Sequence, residues 1–227
     1  KFSQIGINQG AFEKIDSSKL SNFDELYDAA KNPQGEYGPA YTFGRYGIVY
    51  DKTRTDTPVT SWCDLWRDDF AGAIAMPAFN TTGGPLTVMM AGKCAGSDAF
   101  EDPDTAFAKM AELKPNIVKT FSSGSELTNL LSTGEAFIGL AQDYAFPAIQ
   151  AANPNIGWAE LSEGDFRMMN TYNIPKNAEH KDLALAFIDF SISMQAQKDA
   201  AIELVSGSGP VNKTVELTPE QASQLVY

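Results

Sequence analysis

Asn80-Thr81-Thr82-Gly83-Gly84 follows a short apolar segment and runs into a helical pattern. Two hydroxyls beside two glycines at a helix start expose backbone amides and let a ligand come close, an arrangement suited to an anion. The same stretch also reads as an ordinary capped helix start, with Asn80 to Thr82 as caps and Pro85 in the first turn. Arg45 offers a planar guanidinium fork that matches a carboxylate or phosphate. Its competing reading is a structural arginine paired with a nearby carboxylate. Arg45, Asp143 and Tyr144 are the acid–base set available if the chain is an enzyme, and Ser122, Ser123 and Ser125 add hydroxyls.

Rare residues exclude other chemistry. The 227 residues contain one histidine, His180, and two cysteines, Cys63 and Cys94. One histidine without a CxxC pair leaves no zinc site built on clustered ligands. His180 sits in the polar run Asn177-Ala-Glu-His-Lys-Asp182 at a helix start, where a solvated side chain is expected. No GxGxxG, Walker or GxSxG pattern is present. A net charge of −12 gives no electrostatic footprint for a phosphate backbone, which argues against nucleic acid and against an anionic membrane surface. With 43% hydrophobic and 20% charged residues, the chain can bury a core. The opening Lys1-Phe2-Ser3-Gln4, lacking Met, is expected to follow processing or truncation.

The elements that must position these residues alternate, which indicates an α/β fold with a sheet covered on both faces. Strands are expected at Tyr46–Asp51, Ala73–Met76, Ile117–Phe121 and Ala136–Ala141, with extended Ile156–Leu161 and Met168–Ile174. Helices are expected near 86–93, Asp104–Leu113 and Ser125–Leu131, then over Asp143–Ala152 with an effective start near Ala145 because of Pro147, and from Pro219. Lys181–Gln197 reads as one long helix with Leu183, Phe187 and Phe190 on one face. Trp62, Trp66, Phe100, Phe107 and Phe137 are expected in the core.

Thr60-Ser-Trp-Cys-Asp-Leu-Trp66, followed by Phe70-Ala-Gly72 and an apolar strand, resembles a segment of the spermidine/putrescine-binding proteins, the solute-binding subunits of ABC importers. Lys14–Phe23, Tyr41–Ile48, Gly134-Glu135, Glu163-Gly164, Ile174–Ala178, Leu183–Phe190 and Gly207–Asn212 are similar to that family's motifs and fall in its order. The resemblance implies a periplasmic-binding-protein-like (type II) fold of two α/β lobes that close by a hinge on a solute in the cleft between them. It also implies that the family's N-terminal part is missing. Residues 1–45 and 168–212 would then be a remnant of lobe 1, and 46–167 with 213–227 would be lobe 2.

The implied function is solute capture for membrane permease subunits by a monomer, without catalysis, cofactor or metal, in the periplasm or outside the cell, with a lipoprotein anchor as one form. The implied site comprises Arg45, Tyr46, Asn80, Thr81, Thr82, Gly83, Ser123, Gln142, Asp143, Tyr144, Met168 and Asn170. Met168 and Asn170 match the positions of the polyamine binders' Trp and Asp, Asn80–Gly83 matches their acidic pair, and Ala141 matches a second Trp. A desolvated dication needs carboxylates in place of its hydration shell. Amide, hydroxyl and guanidinium donors here point instead to a small solute with an anionic or zwitterionic group; polyamine binding is the alternative. In an exported protein Cys63 and Cys94 are candidates for a disulfide, and two buried free thiols are the other reading.

Overall fold

The computed structural model describes residues 2–202 and 208–225. In chain order its elements are α1 (Phe2–Asn8), α2 (Asp28–Lys31), β1 (Ala40–Asp51), β2 (Ile74–Pro77), α3 (Gly83–Cys94), α4 (Pro103–Glu112), β3 (Ile117–Phe121) and α5 (Gly124–Ser132). There follow β4 (Ile138–Gln142), α6 (Phe146–Ala152), β5 (Ile156–Trp158), β6 (Phe166–Thr171), α7 (Lys181–Ser191), α8 (Met194–Ile202) and α9 (Pro219–Gln224). The sheet order is β3-β2-β4-β1-β5, with β6 pairing β1 off this path.

Contacts divide the chain into unit 1, Lys1–Arg45 with Arg167–Tyr227, and unit 2, Tyr46–Phe166. The sequence assigns Arg167 and the tail from 213 to the second lobe, and the structure differs. The tail belongs with unit 1, because Lys213 donates its backbone N–H to Glu25 O at 2.9 Å and its ammonium to Asp24 O at 2.9 Å.

In unit 2, β2 runs parallel to both β3 and β4, and β1 runs antiparallel to β4 with Tyr46 opposite Gln142. Ile-Ala-Met-Pro of β2 is buried throughout, as a central strand covered on both faces requires. Leu127, Leu130 and Leu131 of α5, Ala141, Ile149 and Ile156 form one core cluster. On the other side of β2 in sequence, Trp62 is fully buried in the 3-10 turn Trp62–Trp66, and its indole N–H donates to Gly164 O at 3.0 Å. A disulfide joins Cys63 in this turn to Cys94 at the end of α3, with Cα atoms 5.5 Å apart. Buried Asn116 donates to Leu65 O and Arg67 O, which ties the turn to the start of β3. Phe100 and Phe107, expected in the core, are 79% and 55% exposed. Phe100 lies in the loop before α4, and α4 turns Ala106 and Met110 inward instead.

Unit 1 packs Ile15, Leu20, Leu26, Ile174, Ile188, Ile192 and Val211 together. Two buried amides hold it. Gln197 donates to Tyr41 O and Ser191 O and accepts Val211 N–H, and Asn212 donates to Ile192 O and Glu25. The single long helix expected at Lys181–Gln197 is two helices, α7 and α8. Ser193 Oγ donates to Phe190 O at 2.6 Å and accepts Ala196 N–H, so the hydroxyl closes one helix and opens the next while Ile192 enters the core. The apolar face of α7 is largely open: Leu183, Phe187 and Phe190 are 69%, 56% and 65% exposed, and of these Phe187 meets the Tyr172 ring edge-on at 5.6 Å. Only Ile188 of α7 is buried.

Each unit holds a carboxylate whose pKa lies below the ordinary aspartate value. Burial raises Asp51 in unit 2, but hydrogen bonds from Thr53 N–H, Thr53 Oγ1 and Asn153 outweigh it. Burial also raises Asp189 in unit 1, and bonds from Ser21 Oγ and Asn22 N–H more than reverse it. A lowered native pKa adds stability that is present above the unfolded value of about 4 and lost as pH falls through the folded one. Urea midpoints of both units are therefore expected to fall between pH 6 and pH 3, and Asp51→Asn to flatten part of the unit 2 dependence.

Candidate functional site

Three loops gather where β2, β3 and β4 of unit 2 end: 78–83, 122–124 and 142–144. The carboxyl edge of parallel strands is where α/β folds take their ligands, because the chain there leaves the sheet in loops that open into helix N-termini. Tyr46, Asn80, Thr81, Thr82, Gly83, Ser123, Gln142, Asp143 and Tyr144 all lie at this edge in unit 2. Arg45 ends the first segment of unit 1, and Met168 and Asn170 lie on its β6, where Asn170 donates to Thr42 Oγ1 at 2.9 Å.

The starts of α3 and α5 differ. At α5, Ser123 is the N-cap and accepts Glu126 N–H at 3.3 Å, and the Glu126 carboxylate accepts Ser122 N–H at 2.6 Å. A side chain of the protein already satisfies that terminus, and an acid stands at it. At α3 the N-cap residue Thr82 is helical and makes no side-chain capping bond. Thr81 turns inward to its own loop, N–H and Oγ1 both donating to Ala78 O at 2.9 and 2.7 Å. The exposed Asn80 and Thr82 therefore stand at a helix start whose N-cap side chain makes no capping bond, followed by the buried Gly83 and Gly84.

The two glycines are demanded by close packing. A Cβ on Gly83 would overlap the Tyr46 hydroxyl, and one on Gly84 would overlap the backbone at Phe79 and Ala78 O. Tyr46 is buried, and its hydroxyl donates to Leu140 O at 3.3 Å; burial pushes its pKa far above the ordinary tyrosine value, so it stays a neutral post beneath α3. At the third loop Asp143 is 3% exposed and accepts Tyr144 N–H at 2.9 Å, whereas the Tyr144 ring is 53% exposed and reaches toward Gly124 at the start of α5.

Glu126 and Phe79, the latter 58% exposed beside the α3 start, escape the sequence reading. Ser123-x-x-Glu126 is a capping signature that identifies Glu126 once sought; no local pattern marks Phe79. The described residues hold no group of three or more His, Cys, Asp or Glu able to share a metal ion. His180, at the N-cap position of α7 in unit 1, is exposed.

The sequence matches the family described as bacterial extracellular solute-binding protein over residues 3–225. It is similar to the spermidine/putrescine-binding periplasmic protein of Escherichia coli, with 28% identity over 200 residues that cover 85% of this chain and 56% of that protein. It is also similar to the gamma-aminobutyric acid-binding protein of Pseudomonas aeruginosa, 25% identical over 230 residues, covering 96% of this chain and 62% of that one. The chain thus spans between half and two thirds of these curated relatives. A crystal structure of an ABC transporter from Clostridium perfringens superposes with a TM-score of 0.85 at 39% identity, over 100% of this chain and 71% of that one. The fold is of the type II periplasmic-binding-protein kind. The chain belongs to the bacterial extracellular solute-binding protein family.

Proposed function

We propose that this protein is the solute-binding subunit of an ABC importer, working in the periplasm or outside the cell as a monomer that hands a small polar solute to membrane permease subunits. Binding rather than turnover is the reading that the relatives favour, since both curated ones are named for what they bind. Unit 2 corresponds to the second lobe and unit 1 to part of the first; the open apolar stripe of α7 supports the reading that unit 1 belongs to a larger core.

The solute carries an anionic group, alone or in a zwitterion. The observation that carries this is the α3 start, whose exposed N-cap residue Thr82 makes no side-chain capping bond. Partial positive charge at a helix N-terminus, confined to a ligand edge, favours a carboxylate there. Glu126 and Tyr144 at the neighbouring loops supply partners for an ammonium at the other end, and the relative named for gamma-aminobutyric acid binds a zwitterion of that kind. Polyamine binding is favoured by the relative named for spermidine and putrescine. Against it, Asn80–Gly83 holds no carboxylate, and Asp143 is buried in a bond to its neighbour's amide.

Calorimetry with amino acids including gamma-aminobutyric acid, organic acids, putrescine and spermidine separates these readings. An anionic or zwitterionic compound is expected to bind and to be recovered unchanged. Tight binding of putrescine or spermidine with no heat from the anionic set overturns the assignment of the solute.

A further inference from the structure

Along the C-terminal half of α3, a helix of 12 residues and so about 17 Å long, unit 2 has a cavity of about 190 Å³ away from the solute edge. Met89, Met90, Ala99, Phe100 and Phe166 give it an apolar lining, with Lys93 at one side. Its walls are held from behind. The Cys63–Cys94 disulfide fixes the end of α3, and Phe166 packs edge-on against the fully buried Trp62 at 5.5 Å.

Phe100 stands 79% exposed at the mouth, the most exposed large apolar side chain among the described residues. It is surrounded in sequence by carboxylates, in Asp98-Ala-Phe-Glu-Asp-Pro-Asp104. Two of them shape the loop: Asp98 accepts Phe100 N–H at 2.7 Å, and Asp102 caps α4 by accepting Thr105 N–H at 3.2 Å. Glu101 and Asp104 are exposed and face water. An exposed Phe100 ring beside an apolar cavity costs hydrophobic free energy that burial against a partner would recover.

We propose that this mouth is a docking surface for a basic segment of a partner protein: an apolar side chain enters the cavity while a neighbouring arginine or lysine lies over the Phe100 ring between Glu101 and Asp104. A cation over an exposed aromatic face is attracted by the ring, and the flanking carboxylates add an attraction that salt screens. The α3 start is at the opposite end of its helix, so this surface is independent of the solute reading.

The test is an NMR titration of the 227-residue chain with an acetylated, amidated Arg-Leu-Arg-Leu-Arg peptide, with Glu-Leu-Glu-Leu-Glu as control. Amide shifts are expected to cluster over residues 89–104 for the basic peptide alone. Affinity is expected to fall about tenfold in Phe100→Ser and in Glu101→Lys/Asp104→Lys, both exposed positions that the fold tolerates. Shifts scattered over the acidic surface, equal affinity in Phe100→Ser, equal response to the acidic peptide, or no response at millimolar concentration each overturn the proposal.

Discussion

Removing the Cys63–Cys94 bond is expected to lower the unfolding free energy of unit 2 by about 3–4 kcal/mol. The cysteines are 31 residues apart, and closing a loop of that size in the unfolded chain carries that much conformational entropy. Cys63→Ser/Cys94→Ser and reduced wild type should agree in urea unfolding followed by the Trp fluorescence of unit 2. A loss below about 1 kcal/mol in both would show that the Trp62–Trp66 turn and α3 hold together without the crosslink. Chain entropy accounts for most of the expected loss, since Ser61 Oγ, Asn116 and Trp62 keep their own hydrogen bonds in either variant. A protein that relies on such a bond belongs in an oxidising compartment, which agrees with the proposed location.

Gly84→Ala is expected to displace the start of α3 and to abolish solute binding, at a cost of about 2–3 kcal/mol in stability. Two effects compete. Alanine in place of a helical glycine brings up to about 1 kcal/mol of helix propensity, while overpacking costs about 1–3 kcal/mol and more where backbone must move. The added methyl group meets Phe79 Cα and Ala78 O, backbone atoms that no rotamer change relieves, so the steric cost prevails. Thr82→Ala is the control: its side chain is exposed and caps nothing, so stability should hold while calorimetry reports whether the hydroxyl touches the solute. Gly84→Ala with wild-type stability and affinity would mean that the α3 amides do not form the site.

Much of unit 2 is legible because its signals are local. Three short runs bounded by turn residues are strands, the expected Tyr46–Asp51 run is the second half of the longer β1, and Pro147 falls in the first turn of a helix, as its fixed φ requires. The paired glycines advertise a close approach, yet nothing local says that the approaching group is Tyr46, which arrives from an antiparallel strand some 37 residues earlier. Periodicity shows that Leu183, Phe187 and Phe190 share a face of α7; it carries no information on whether a neighbour covers that face, and among the described residues Tyr172 covers part of Phe187 while all three side chains stay more than half exposed. Ser193 reads as part of one helix because a hydroxyl is compatible with a helix interior until it finds carbonyls to bond. The tail's position is equally hidden, since it depends on Lys213 meeting Asp24 and Glu25, far back in the chain.

The α7 stripe also bears on how this polypeptide behaves in bulk solution. Leu183, Phe187 and Phe190 turn oily surface toward water on a molecule carrying −12, so dispersal rests on mutual repulsion between like-charged particles. Concentrated electrolyte screens that repulsion beyond about 3 Å at 1 M, and sulfate-type salts strengthen apolar cohesion at the same time. Colloidal stability thus sits at its best in dilute, weakly buffered media and declines toward salting-out.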